Sequence, residues 1–186
     1  GFNFRHYGGK YINCKTEYPL DGSIGYDQIA NLLTLLRTDP TSRRMIINLW
    51  NPASQHRAAL PACLMMYQFY VNSQLKTLNC QIYLRSSDYF LANNWNTCTG
   101  ALLVHMLCMM EGIDLIPGEL TVITGDTHIY RTHLDQVNIN LNRKPYPFPA
   151  LKIKGNKRAN ITDFKFEDLR LIGYRAYPSI SADMAV

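Results

Sequence analysis

Two strand-like runs, residues 65–71 and 78–84, rich in Tyr, Phe and Ile, stand on either side of Asn72-Ser73-Gln74. Aromatic and β-branched residues fit a pleated surface, and short polar residues favour a turn, so the pair reads as a hairpin. A sheet begun this way needs cover, and the flanking sequence offers it. Residues 26–38 place Ile29, Leu32, Leu33 and Leu36 on one helical stripe. Asp39-Pro40 ends that helix, because the residue before a proline is pushed out of the helical region. Residues 95–110 turn helical again, with Leu102, Leu103, Met106, Leu107 and Met110 recurring three and four apart, and the methionines read as core filler. Residues 45–50 read as a buried strand. Pro117-Gly118 opens a further strand over 119–130, and 133–142 suits a short helix. Lys144-Pro145-Tyr146-Pro147-Phe148-Pro149 cannot be helical and leads, extended, into a strand at 151–153. Strands and helices mix without regular alternation, which predicts an α+β layer rather than a doubly wound sheet.

The chain's 186 residues are enough for one domain with a sizeable core. Apolar residues make up 47% of it, but no run approaches the roughly eighteen that a membrane helix needs. Gly1-Phe2-Asn3-Phe4-Arg5 has neither the charged start nor the apolar stretch of a signal peptide. A soluble, cytoplasmic protein is expected. The five cysteines, Cys14, Cys63, Cys80, Cys98 and Cys108, show no ligand spacing, so free thiols are expected and a metal is not. A formal charge of +5 favours anionic ligands. Residues 152–158 read as an exposed hairpin end rather than a nucleic-acid site.

Several residues carry chemistry. Cys63 alone would read as a small buried hydrophobe. In Arg85-Ser86-Ser87-Asp88, at the end of an apolar strand, a guanidinium fork beside a hydroxyl suits a phosphate monoester. His128 and Tyr130 lie two apart on a predicted strand, so both leave one face and can grip one hydroxyl. Asn94 or Asn96 could cap a helix. The amide of Asn96 also offers a donor and an acceptor side by side. Arg43-Arg44 reads as a solvated pair before a strand, His105 and His133 as structural, and His56 as exposed.

The order of these pieces resembles the active-site signature of the thymidylate synthase family. It runs through Ser42-Arg43-Arg44, Ala59-Leu60-Pro61-Ala62-Cys63, Arg85-Ser86-Ser87-Asp88, Trp95-Asn96, Gly125-Asp126-Thr127-His128-Ile129-Tyr130 and Met184-Ala185-Val186. The resemblance implies a mixed sheet backed by helices, with two such sheets packed back to back in a homodimer. It implies that Cys63 is the nucleophile toward C6 of dUMP, activated by a cation for which Arg85 is the candidate. It implies catalytic roles for Arg85, Asp88 and Asn96, and a substrate grip from Arg85, Ser86, Ser87, Asp88, Asn96, His128 and Tyr130. Arg43 and Arg44 would reach the partner subunit's phosphate. The co-substrate implied is 5,10-methylenetetrahydrofolate, contacted by Asp88, Ala92 and Ala185, the last in a tail that closes over it.

The chain departs from the family pattern in places. Pro61-Ala62-Cys63-Leu64 stands where most members read Pro-Pro-Cys-His, Leu84 replaces the glutamine before the Arg-Ser pair, and Ala92-Asn93-Asn94-Trp95 replaces a Gly-rich approach. Gly1 matches a position well inside the family chain, so the family's N-terminal region, with its phosphate-binding arginine loop, is expected to be absent. Three readings stand: reductive methylation of dUMP, its hydroxymethylation, and a nucleotide-binding homologue impaired in catalysis.

Overall fold

A computed structural model describes residues 2–13 and 15–184. Its elements in chain order are α1 (Phe2–Arg5), α2 (Gln28–Thr38), β1 (Ile46–Asn48), β2 (Leu64–Asn72), β3 (Thr77–Asp88), α3 (Asn93–Cys108), β4 (Ile116–His128), α4 (Leu134–Leu141), β5 (Ala150–Ile153) and β6 (Leu169–Ile172). The architecture is α+β, as the irregular order of elements predicts.

The central sheet runs β1-β2-β3-β4. β1 and β3 flank β2 antiparallel, whereas β4 lies parallel to β3. A parallel neighbour needs a crossover, and α3 supplies it. The predicted hairpin is β2–β3, with Asn72 Oδ1 accepting from the backbone N–H groups of Gln74 and Leu75. A bulge between Leu64 and Met66 lets Leu64 and Tyr67, three residues apart, both face the core.

One face of the sheet is dry. Tyr67, Phe69, Val71, Leu78, Cys80, Ile82 and Leu84 are buried with Leu32, Leu36, Ile47, Val104 and Leu107 in one cluster. The stripe Ile29, Leu32, Leu33 and Leu36 packs inward from α2, whose Asp27 cap accepts from the Ala30 N–H. At Gly100 α3 comes so close to the sheet that an added methyl would lie 3.2 Å from Leu120 and 3.4 Å from Ile82. Gln28 ties α2 to β1: Asn48 N–H donates to its Oε1, and its amide donates to Asn48 O.

Boundaries differ from the periodicity in instructive ways. β1 is confined to Ile46–Asn48. α3 begins at Asn93 after Ala92, with no side-chain cap; neither Asn94 nor Asn96 takes that role, and Asn96 instead donates its amide to Ala92 O, 3.2 Å away. Pro117 and Gly118 lie inside β4 rather than before it, which a proline can do because β4 is an edge strand of this sheet. α4 is preceded by a 3-10 turn, Arg131–His133. The extended proline run does lead into β5, which pairs with β6, a strand the sequence pattern missed because its residues are mostly exposed.

Candidate active site

The topology gathers the predicted residues at one end of the sheet. Because β2 is antiparallel to β3, the start of β2 meets the end of β3, and Leu64 pairs with Leu84. Because β4 is parallel to β3, its end arrives there too, with Asp88 opposite His128. Crossover helix α3 starts from the same end, just after the Tyr89–Ala92 loop.

Arg85 organises this end. Its backbone N–H donates to Cys63 O at 2.9 Å, its Nε to Ala62 O at 3.0 Å and its Nη2 to Pro61 O at 3.1 Å. The guanidinium lies 5.4 Å from the centre of the Trp50 ring. Three hydrogen bonds thus fix the loop that presents Cys63, whose side chain is exposed, and the guanidinium that makes two of them is a permanent cation. Gly125 is part of the same construction: a methyl there would stand 2.7 Å from Arg85 O, so only glycine lets β4 lie this close.

Ser86 is half-buried, whereas Ser87 turns inward, 1% exposed, with its hydroxyl 3.5 Å from Asn93 Oδ1. Asp88 Oδ1 accepts from the N–H groups of Phe90 and Leu91 at 3.2 and 3.1 Å, closing the turn that leads into α3. Ala92 N–H then donates to Asp88 O. Sequence reasoning gave Asp88 a ligand role and missed this turn, although an aspartate two residues before the donor is its usual signal.

β4 stops at His128, two residues short of the expected end. Tyr130 nevertheless remains extended, and the two rings meet edge to face at 5.0 Å. Asp126 Oδ1 lies 3.1 Å from His128 Nδ1. A carboxylate accepts, so this contact places the hydrogen on Nδ1 and leaves Nε2 to meet a ligand hydroxyl.

Arg43 and Arg44 are not brought to this end. They precede β1, and Ile46 pairs with Gln68, far along β2 from Cys63; five to seven residues of strand correspond to about 17–23 Å. Both are exposed, and Arg43 borders a concavity of about 710 Å³ on the sheet's open face, with Gln68, Tyr70, Gln81 and Thr121. Ala185 and Cys14 lie outside the described residues. His56 is exposed. Burial lowers the pKa of half-buried His105. His133 is buried at 1%. Among the described residues no cluster of His, Cys, Asp or Glu could hold a metal ion, and no helix is long and apolar enough to cross a membrane.

A thiol, a guanidinium, a carboxylate and an imidazole thus gather at the open end of a mixed sheet, an arrangement suited to a small anionic ligand with hydroxyl groups. The chain belongs to the thymidylate synthase family, whose sequence profile matches residues 1–186. It is 42% identical over 186 residues to a bifunctional dihydrofolate reductase-thymidylate synthase of Paramecium tetraurelia, and 38% identical to the protein of the same description from Leishmania amazonensis. All of this chain is covered, but it spans only 38% and 35% of those relatives' lengths.

Proposed function

We propose that the chain carries out the reductive methylation of dUMP to dTMP with 5,10-methylenetetrahydrofolate. The observation that supports this most is the set of hydrogen bonds from Arg85 to the carbonyls of Pro61, Ala62 and Cys63, which ties the loop of an exposed thiol to a guanidinium at the Asp88 and His128 end of the sheet. In this reading the Cys63 thiolate adds to C6 of the uracil, and C5 becomes a nucleophile that bonds to the folate methylene. The C5 proton then leaves, tetrahydrofolate departs by elimination, and its hydride is delivered to the exocyclic methylene. Dihydrofolate and dTMP result as the C6–S bond breaks. Arg85 and Ser86 hold the phosphate, with Ser87 shaping the strand beneath them. Asn96 reads the uracil edge. His128 and Tyr130 take the sugar hydroxyl, and Asp88, Ala92 and Ala185 face the folate.

A second copy of the chain completes the reading. Arg43 borders the concavity on the sheet's open face, and Arg43 and Arg44 are both exposed and remote from their own Cys63. Back-to-back packing of two sheets would carry them to the partner's phosphate.

The test is the complex with 5-fluoro-dUMP and methylenetetrahydrofolate in the full-length protein, because fluorine cannot leave C5 as a proton does. Mass spectrometry is expected to find the adduct on the peptide containing Cys63, and none with Cys63→Ala. An adduct that persists in that variant, or never forms in the folded wild type, removes the assignment. Turnover decides the other reading of the same intermediate: 5-hydroxymethyl-dUMP without dihydrofolate would mean that water meets the methylene. Leu64, 8% exposed and packed in the core where most family members carry a histidine, favours hydride.

A further inference from the structure

Residues 173–184, beyond β6, form neither helix nor strand, yet side chains hold them at two points. The first is Tyr177. Its hydroxyl donates to Lys144 O at 3.1 Å, its ring stacks on Tyr146 at 4.8 Å, and the Arg143 guanidinium lies 5.2 Å from its centre. The second is Asp183, whose carbonyl oxygen lies 2.7 Å from His133 Nε2, fifty residues away in sequence. A carbonyl only accepts, so Nε2 carries the hydrogen.

His133 is 1% exposed, and its Nδ1 is buried with no hydrogen-bond partner among the described residues. An apolar side chain of similar volume would fill this space without leaving a buried polar atom unpaired, so packing alone does not account for the histidine. Its surroundings do. The ring lies 5.6 Å from Tyr130 and 5.8 Å from Phe90. Tyr130 pairs with His128, and Phe90 N–H is held by the Asp88 carboxylate. One imidazole therefore touches the exit of β4, the loop from β3 to α3, and the segment that follows β6.

We propose that His133 is a positioning residue, a latch that seats residues 179–184 against the site end of the sheet. Its Nε2–H holds the Asp183 carbonyl, while its ring is braced on Tyr130 and Phe90. The latch stands on this geometry. That it governs folate rather than nucleotide rests on the reaction proposed above.

Limited digestion of the full-length protein with a non-specific protease tests it, using His133→Leu, which fills the space without a donor, and His133→Gln, whose amide keeps a donor at similar reach. Cleavage follows the population of the released segment, so loss of the donor is expected to speed cutting within residues 179–184 about tenfold, the equivalent of one hydrogen bond. Cutting within residues 173–178, clamped by Tyr177, should stay at the wild-type rate, and His133→Gln should restore resistance. In turnover, His133→Leu is expected to raise KM for methylenetetrahydrofolate while leaving the Kd of dUMP alone within about twofold, a split that general loss of structure would not give. If His133→Leu does not fold, His133→Asn against His133→Gln makes the same comparison, since asparagine is too short to reach Asp183. Unchanged cutting at 179–184 without the donor, or Gln as loose as its donor-less counterpart, overturns the latch. Digestion needs no turnover, so an inactive wild type with the expected cutting removes the reaction and keeps the latch. An active enzyme with unchanged cutting removes the latch alone.

Discussion

The two faces of the central sheet are built from the same strands and differ in almost everything else. Toward α2 and α3, β3 presents Leu78, Cys80, Ile82 and Leu84, each at most 3% exposed. Between them it turns Asn79, Gln81, Tyr83 and Arg85 the other way, all half-buried. Neighbouring strands continue the contrast with Gln68, Tyr70, Thr121 and Ile123, of which Tyr70 is 66% and Ile123 37% exposed. The strict period of two lets one strand serve both ends, a core on one side and a polar, aromatic surface on the other. The candidate site belongs to neither face but to the end where the strands stop, since only there do the entry to β2 with Cys63, the end of β3 with Arg85 and Asp88, and the end of β4 with His128 come to one place.

Thiol labelling should break or sharpen that contrast most. Burial pushes the thiols of Cys80 and Cys108 up to about 12, whereas Cys63 and Cys98 are exposed. At about pH 8 a thiol with so high a pKa is almost wholly protonated, and only the thiolate reacts. In the folded protein, iodoacetamide is therefore expected to modify Cys63 and Cys98 at least a hundredfold faster, in order of magnitude, than Cys80 and Cys108, with the difference vanishing in denaturant. Peptide mass spectrometry over a time course reads it. Rapid labelling of Cys80 without denaturant would mean that the α-helical side of the sheet is not dry.

Adjacent residues of β3 give the next largest effect. Ile82 is fully buried at the centre of the core, and Ile82→Ala should cost about 2–5 kcal/mol through lost transfer energy and the cavity left behind. Tyr83 points to the open face, so Tyr83→Ala should cost less in the isolated chain. If a second copy covers that face, the loss from Tyr83→Ala grows with protein concentration, while that from Ile82→Ala is present at every concentration. Urea unfolding at several concentrations separates them. A concentration-independent effect at Tyr83 would argue against back-to-back sheets.

The dry face was legible because it repeats. The helical stripe Ile29, Leu32, Leu33 and Leu36 and the aromatic-rich and isoleucine-rich runs around Asn72-Ser73-Gln74 are local patterns, and the structure turns the stripe and one side of each strand inward. The bulge at Leu64 was not legible, since it depends on how β2 meets β3 rather than on β2 alone. Nor was β6, whose Leu171 and Ile172 are exposed and carry no burial rhythm. At the site, Cys63, Arg85, His128 and Tyr130 stood out by order along the chain. The bonds from Arg85 to Pro61 and Ala62 join residues 24 and 23 positions apart, and the His133 contact spans fifty. No local pattern encodes such pairs, because the fold brings them together only after both strands are in register.

The hairpin β5–β6 belongs to neither face, and it is fastened differently, which sets the smallest effect. Asp168 accepts from the Lys165 N–H and pairs with Arg158 at 3.1 Å. The Lys165 backbone hydrogen bond, foremost, and the Arg158 side chain hold its carboxyl below the usual carboxylate range. A carboxyl whose folded pKa is depressed stabilises the fold above its unfolded pKa, and that contribution is lost as pH falls through the folded value. Asp168→Asn should therefore lower the urea midpoint slightly near neutral pH, and the difference from wild type should close below about pH 4, the ordinary carboxylate range. Ile82 carries no titratable group, so Ile82→Ala should keep its full cost across the same titration. A difference at Asp168 that persisted in acid would mean that packing of the aspartate, rather than its charge, fastens the hairpin, and the contrast with the sheet would then be one of degree.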